Sequence, residues 1–182
     1  DGNGTVLAAF SAATAQAASA PFESVILVEC DRILHAQDRD ALQADLQQVL
    51  GDVRAAVQDW QAMLDRVRTV AQAAAHSSLS PSGQQEGIDF LHWLEDRHFT
   101  FLGARDYDLV REGSAMRMRA KPGTGLGILR GAAQTEQPVL PPEAVALLES
   151  NELVLVTKAM SRATVHRPAW LDYIAVKRFD PD

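Results

Sequence analysis

A basic stretch near the end of the chain, residues 153–179, holds the side chains best suited to binding a charged group. It contains five Lys or Arg residues and a single acid, whereas the 182-residue chain has 17 Lys or Arg against 24 Asp or Glu and a net charge of −7. Arginine can give a carboxylate or phosphate two parallel hydrogen bonds, and arginine beside aromatic residues is typical of interface anchors. The candidate site residues are Lys158, Arg162, His166, Arg167, Trp170 and Tyr173.

Three interpretations of this stretch remain open. The cations could bind an amino-acid or nucleotide effector, or an acidic patch on another domain or subunit. The nearby Trp170 and Tyr173 favour docking over effector binding. The third interpretation is a set of ordinary ion pairs with acids of the same domain, which are common and individually weak.

Side-chain alternation along a strand indicates how the cations divide. Lys158, Arg162 and His166 fall on one face and are expected to form one surface. Arg167 points the other way, Pro168 bends the chain directly after it, and Arg167 is therefore expected to pair separately with Asp172.

Other chemistries have little support in the sequence. The segment Gly123-Thr-Gly-Leu-Gly127 lacks the G-x-G-x-x-G spacing of dinucleotide-binding loops, so it predicts a structural turn. No two histidines have the spacing of a zinc-binding helix, and Ser161, His166 and Asp172 lack a Gly-x-Ser-x-Gly elbow. We therefore assign no catalytic, cofactor-binding or metal-binding residue to this chain. The acidic balance argues against nucleic-acid binding.

The cysteine count, the length of the apolar runs and the two ends of the sequence indicate the cellular compartment and suggest what the chain is part of. Cys30 is the only cysteine, which excludes an intramolecular disulfide and suits the reducing cytoplasm. No run of about 18 apolar residues predicts a membrane span. A start without Met and an end directly after a strand pattern suggest a piece of a longer polypeptide.

A long helix is the strongest predicted element, at residues 38–75. Apolar residues recur along it at gaps of three and four, which predicts a single stripe. Some 35 helical residues would span about 50 Å, more than one small sheet can cover. We therefore expect the chain to self-associate or to leave Trp60 and Leu64 partly exposed. A coiled-coil pairing is the alternative to packing on its own domain and a neighbouring helix.

The remaining pattern predicts strands joined mainly as hairpins, with helices on one face, which is an α+β layer arrangement. Apolar residues on both faces of the strand at residues 23–30 predict a central strand of a covered sheet. A capping box at Ser82-Gly-Gln-Gln85 predicts the start of the second helix. The other expected segments are strands at 5–10, 99–110, 115–120, 153–157 and 169–179, a linker at 11–21 and a helix from 141.

Three segments resemble, in the same order, the region before the catalytic core of the very large bacterial NAD-specific glutamate dehydrogenases. They are FTFLGARDYDL at 99–109, GLGILRG at 125–131 and TKAMSRATVHRPAWLDYIAVKRFD at 157–180. The resemblance implies ACT-like modules of the βαββαβ, ferredoxin-like plan, with an antiparallel sheet, helices on one face and an added long helix. Residues 1–76 would hold the end of one module and the long helix, 77–82 a linker, and 83–182 a second module.

The resemblance also implies a function for the parent protein. Such an enzyme oxidises L-glutamate with NAD to 2-oxoglutarate, ammonia and NADH. This chain would be a non-catalytic regulatory and assembly part of it, cytoplasmic, with NAD bound elsewhere in the parent. Its partners would be other domains and subunits of the same homo-oligomer, together with an amino-acid effector. The alternative is a stand-alone ACT-type module that binds an amino acid or another effector and has no enzyme activity.

Overall fold

The chain divides into two units within the part that the structure describes. The computed structural model describes residues 5–12, 23–77, 79–113, 115–131, 140, 142–150, 152–165 and 167–178. Its contacts separate Asp1–Leu46 from Gln47–Asp182, and the division falls within the long helix. The linker expected at residues 77–82 lies inside the second unit, and the two modules expected on either side of it stay a prediction. Most of the other expected linker, residues 13–21, lies outside the described residues.

The first unit contains an antiparallel hairpin of β1 (Thr5–Ala12) and β2 (Glu23–Glu29), followed by the start of the long helix. Both strands were expected, but the central position expected for β2 is wrong. Among the described residues, β1 is its only hydrogen-bonded partner, and Ile26, Leu27 and Val28 are exposed. Both faces of a strand in a two-stranded hairpin are exposed to solvent unless another layer of structure packs on them. Apolar residues on both faces of the strand do not show that such a layer is present.

The long helix α1 runs without interruption from Ala36 to Ala74, and its 39 residues correspond to about 58 Å. Its buried face agrees with the predicted stripe only near the end of the helix, where Val67 and Val70 pack against the apolar core. The helix buries Ala56, Asp59 and Met63, whereas Val57 and Trp60, each one position later, are 66% and 54% exposed. One position is about 100° of rotation, so the stripe around Val57 and Trp60 lies beside the buried face. Trp60 is exposed and Leu64 is half-buried, which confirms the partial exposure expected for both.

The second helix, α2 (Pro81–Trp93), begins two residues before the predicted capping box. The hydroxyl of Ser80 accepts a hydrogen bond from the Gly83 N–H at 3.4 Å, and Pro81 occupies the first helical turn. Proline suits that position because its fixed backbone angle is helical and no N–H is needed there. The box at Ser82 is therefore wrong, and a Ser-Pro start replaces it. A π-helical turn, Leu94–His98, continues the helix.

One apolar cluster joins the end of α1, α2 and the entrance of a strand near the end of the chain. Its five fully buried members are Ala71, Ala74, Leu91, Leu94 and Leu153. Gly87 allows α2 to approach closely, because a Cβ at this position would lie 2.6 Å from Leu153 Cδ2. The last turns of α1 therefore share a core with the rest of the second unit.

The strands of the second unit pair as antiparallel two-stranded sheets, which confirms the α+β class. The predicted strand at residues 99–110 is broken in two. At the break, the Asp106 N–H donates to Thr124 Oγ1 at 3.2 Å and is not available to a strand, and the Arg105 side chain donates to the Leu129 carbonyl of the same loop. The described elements after the π-helical turn are β3 (Gly103–Ala104), β4 (Tyr107–Glu112), β5 (Ala115–Ala120), β6 (Leu126–Gly127), α3 (Pro142–Glu149), β7 (Val154–Arg162) and β8 (Trp170–Val176).

These pairs are β3–β6, β4–β5 and β7–β8. The ACT-like order of strands in one sheet stays a prediction. No helix in the described ranges is both long enough and apolar enough to cross a membrane.

We predict that two glycines respond oppositely to replacement by alanine. Gly127 has a φ of 58°, and a Cβ there would lie 2.1 Å from the Leu102 carbonyl oxygen. Gly127→Ala should therefore lower the free energy of unfolding by about 3 kcal/mol or more. Gly51 is helical, and a Cβ added there would have nothing within 4 Å, so Gly51→Ala should raise it by about 1 kcal/mol. Urea denaturation measures both, and equal stabilities would contradict this account of the loop.

Candidate functional site

The β7–β8 hairpin positions the basic stretch. Lys158 lies opposite Asp172 and Arg162 lies opposite Trp170, with a register shift on β7 between them. Asp172 and Trp170 are alternate residues of β8, so they project from one face of the hairpin, and their partners share that face. The structure therefore brings Lys158 and Arg162 to one surface, as the alternation predicts. His166, the third member expected there, lies outside the described residues.

Arg162 and Trp170 form the exposed centre of this surface, and we call these two residues the Arg–Trp patch. The Arg162 guanidinium lies over the Trp170 ring, 5.3 Å from its centroid, a cation–π arrangement. Trp170 is 52% exposed, and Arg162 is exposed and makes no ion pair with any described residue. The guanidinium is thus positioned by the indole and still able to bind an anion.

Three of the other cations are bound within the second unit. The Lys158 ammonium pairs with Asp172, so the expected pairing of Arg167 with Asp172 is wrong. Lys177 donates to the Ser150 carbonyl, and Arg178 Nη1 lies 3.2 Å from Asp106 Oδ2. The third interpretation, ordinary ion pairing, therefore describes Lys158 and Arg178. Lys158 forms the pair with Asp172 because antiparallel register places it directly across from the carboxylate.

The two remaining candidates differ in exposure. Arg167 is exposed in the connection between β7 and β8 and has no ion pair within the described residues. Tyr173 follows Asp172 and projects from the opposite face of β8, where burial, and then the neighbouring Tyr107, raises the pKa of its hydroxyl. Tyr173 therefore lies on the face of the hairpin opposite to Trp170 and is not part of the Arg–Trp patch.

Lys177, near the end of the basic stretch, is partly buried, and its burial changes the pKa of its ammonium group. Burial lowers the pKa of its ammonium, and the nearby Glu152 carboxylate opposes that shift. Its hydrogen bond to Ser150 fixes the chain before β7 against the chain after β8. Lys177 thus acts within the fold, and Arg162 and Arg167 are the exposed cations of the stretch that make no ion pair with a described residue.

The glycine-rich loop, residues 122–130, is engaged by α1. Asp59 is 5% exposed, and its carboxylate accepts hydrogen bonds from the Gly127 N–H at 2.8 Å and from Arg130 Nε at 2.9 Å. The Arg130 hydrogen bond, followed by that of Gly127, lowers the pKa of Asp59. Sequence reasoning missed Asp59, which lies 68 residues from Gly127 and inside a helical pattern. The one sequence feature that could have indicated its role is the position of this acid directly beside the apolar stripe of α1.

Arg66, two turns further along α1, bonds to the same region. Its Nη1 donates to the Thr124 carbonyl at 2.7 Å and lies 3.5 Å from Asp106 Oδ1. The loop is therefore held from one side by a helical acid and a helical base, as expected of a structural turn. Across the described residues, no three His, Cys, Asp or Glu side chains come together as a metal site would require.

No known protein-family model matches the chain. Two curated NAD-specific glutamate dehydrogenases are similar to it: that of Pseudomonas aeruginosa is 32% identical over 163 residues, and that of Halomonas elongata is 30% identical over 169 residues. The chain resembles a segment of NAD-specific glutamate dehydrogenases. Each alignment covers 87% of this chain and 10% of the relative, so the chain spans about a tenth of the relatives' length. A fragment of such a large glutamate dehydrogenase fits both alignments.

We predict that Asp59 stabilises the chain in a pH-dependent way. Because its pKa is lowered in the folded state, its contribution is present above the unfolded value of about 3.9 and is lost as pH falls through the folded value. Asp59→Asn should therefore lower Tm at neutral pH, and the difference from the native chain should shrink below about pH 4.

Asp65→Asn is the matched control, since Asp65 is an exposed acid on the same helix. It should change Tm much less than Asp59→Asn at neutral pH. Calorimetric melting of the three proteins across the acid range measures the effect. A pH-independent difference for Asp59→Asn would contradict the stabilising role of the charged carboxylate.

Proposed function

We propose that the chain is a non-catalytic regulatory and assembly segment of an NAD-dependent glutamate dehydrogenase. The parent enzyme would convert L-glutamate and NAD to 2-oxoglutarate, ammonia and NADH, with catalysis and NAD binding in other parts of its chain. The similarity to about a tenth of two such enzymes is the observation that carries this proposal. The similarity to long enzymes gives no support to a stand-alone effector-binding module.

The glycine-rich loop supports a non-catalytic role for the segment. A loop that binds a dinucleotide must point backbone N–H groups at the pyrophosphate. In this chain the Gly127 N–H already donates to Asp59, and Arg130 pairs with the same carboxylate. A phosphate approaching Gly127 would have to displace a buried negative charge.

An ACT-like second module at residues 83–182 is the architecture we propose for this role. The support is the α+β composition of the second unit, with α2 packed through Leu91 on Leu153 at the start of the β7–β8 hairpin. The long helix would then connect this module with neighbouring parts of the enzyme.

The Arg–Trp patch is the surface through which we propose that the segment contacts its partner domains or subunits. Exposed tryptophan and arginine are the side chains most enriched at binding hot spots. An amino-acid effector is a weaker interpretation of the same patch, because Lys158 is already paired with Asp172 and the patch is open to solvent. Small-molecule sites usually bury most of their ligand.

We predict that Arg162→Glu in the full-length enzyme weakens subunit assembly or changes regulation. The expected cause is the loss of an anion-binding guanidinium and the introduction of a like charge against an acidic partner. The same change should alter the stability of the 182-residue chain by only about 0–1 kcal/mol, because Arg162 is exposed.

Light scattering of the full-length enzyme measures the assembly, and thermal melting of the chain measures the folding. Arg119→Glu is the matched control, since Arg119 is an exposed strand arginine of the β4–β5 hairpin. A fall of many degrees in the Tm of the Arg162→Glu chain would make Arg162 a structural residue and contradict the proposal.

A second prediction concerns the cofactor. Calorimetric titration of the 182-residue chain with NAD should give no binding in the micromolar range, whereas the full-length enzyme should bind NAD. The reason is the engagement of the glycine-rich loop by Asp59. A micromolar Kd for the chain alone would contradict the non-catalytic role.

A further inference from the structure

A groove opens where α2 ends its cover of the β7–β8 hairpin. Its volume is about 380 Å³, and it lies between Gly83, Glu86 and Phe90 of α2 and Glu152 and Val156 at the start of β7. Gly87 brings α2 into contact with Leu153, so the helix covers the beginning of the strand. Further along the strand the cover stops, and Val156 is 54% exposed. We call this feature the glutamate groove.

The groove has an apolar floor and an acidic rim. Phe90 and Val156 line it together with the carboxylate-bearing Glu86 and Glu152, both of which are exposed. Glu86 makes no ion pair within the described residues. Such a groove favours an occupant that combines a flat apolar group with a cation and disfavours a free carboxylate or phosphate.

The Arg–Trp patch has this complementary chemistry and lies on the same face of the hairpin. Val156 pairs with Ile174 and Arg162 with Trp170, and Ile174, Asp172 and Trp170 are alternate residues of β8. Ile174 and Trp170 are four positions apart on β8, which corresponds to about 13 Å at 3.3 Å per residue. An acidic apolar groove and a basic aromatic patch therefore lie next to each other on one surface.

We propose that two copies of this chain dock through this face, each placing its Arg–Trp patch in the other's glutamate groove. When two complementary features lie on one surface, a two-fold axis between them satisfies both contacts at once and closes the assembly at a dimer. The Trp170 indole would pack on Phe90 and Val156, and the Arg162 guanidinium would lie against Glu86 and Glu152. This inference rests on the assembly role proposed above and identifies a second copy as the partner.

The test compares association of the 182-residue chain with that of two charge-reversed variants. The groove variant carries Glu86→Arg and Glu152→Arg, and the patch variant carries Arg162→Glu. The two-fold relation places each change in both contacts, so a tenfold loss per contact becomes roughly a hundredfold increase in Kd for either variant. Arg119→Glu, the control, should keep the native Kd. Sedimentation equilibrium measures each value.

Mixing the two variants is the decisive measurement. In the mixed pair, one contact has the native charges and the other has both charges exchanged, so both are attractive. We expect the mixture to recover association to within about tenfold of the native Kd. Trp170→Ala adds a variant without a charge change, and it should also weaken association because it removes the aromatic anchor.

Several results would overturn the docking. They are a native chain that stays monomeric, variants that keep the native Kd, or a mixture that fails to recover. Unchanged Kd values in a dimeric chain would assign association to another surface, such as the exposed Leu50, Val57 and Trp60 of α1. Weaker assembly of the full-length enzyme by Arg162→Glu beside a monomeric chain would overturn the two-fold docking alone. The proposed function would then stand.

Discussion

The rotation of the long helix depends on one buried carboxylate. Asp59 is nearly inaccessible to water, and a charge in that position is tolerated only when hydrogen-bond donors surround it. The Gly127 N–H and the Arg130 guanidinium supply those donors, and Gly127 reaches the position only with a left-handed backbone. Turning α1 by one residue would bury Trp60 and leave this carboxylate without its partners.

This constraint explains why the apolar periodicity of α1 predicts the helix but not which of its side chains are buried near Asp59. Apolar residues at gaps of three and four indicate which side chains would be stabilised by burial. They do not indicate that a charged side chain one position away must reach its hydrogen-bond donors. Asp59 and Met63 face the unit, while Val57 and Trp60 are left largely open to solvent. The helix thus retains an apolar strip that a local pattern would have placed in the core.

The elements whose signals are local were predictable, whereas the long-range contacts were not. The bounds of α1 and β5 follow from periodicity, and the α+β class follows from the order of elements. The break of the strand at Arg105 and Asp106 depends on Leu129, 24 positions after Arg105, and on Thr124, 18 positions after Asp106. The predicted start of α2 was wrong because both Ser80 and Ser82 can cap a helix. Ser80 is the N-cap, since Pro81 directly after it suits the first helical turn.

The basic stretch shows the same limit at the candidate site. Its composition gives six candidates of equal standing, and only the register of β7 against β8 separates them. Lys158 lies across from a carboxylate and is paired, whereas Arg162 lies across from an indole and keeps its hydrogen-bonding capacity. The alternation rule placed these two on one face correctly, but it could not name the partner of Asp172.

The second unit therefore separates its stabilising charges from those available to a partner. A buried charge loses its hydration on folding, so removing one of its donors leaves an uncompensated group and destabilises the fold. An exposed guanidinium keeps its water and contributes little to folding, yet it gains much when a partner excludes that water around an acidic rim. Asp59 belongs to the first class and Arg162 to the second. The exposed apolar side chains on the same face contribute for the same reason. When a partner packs on Trp170 and Val156, water is excluded around the Arg162 guanidinium, and its attraction to the partner's carboxylates becomes stronger.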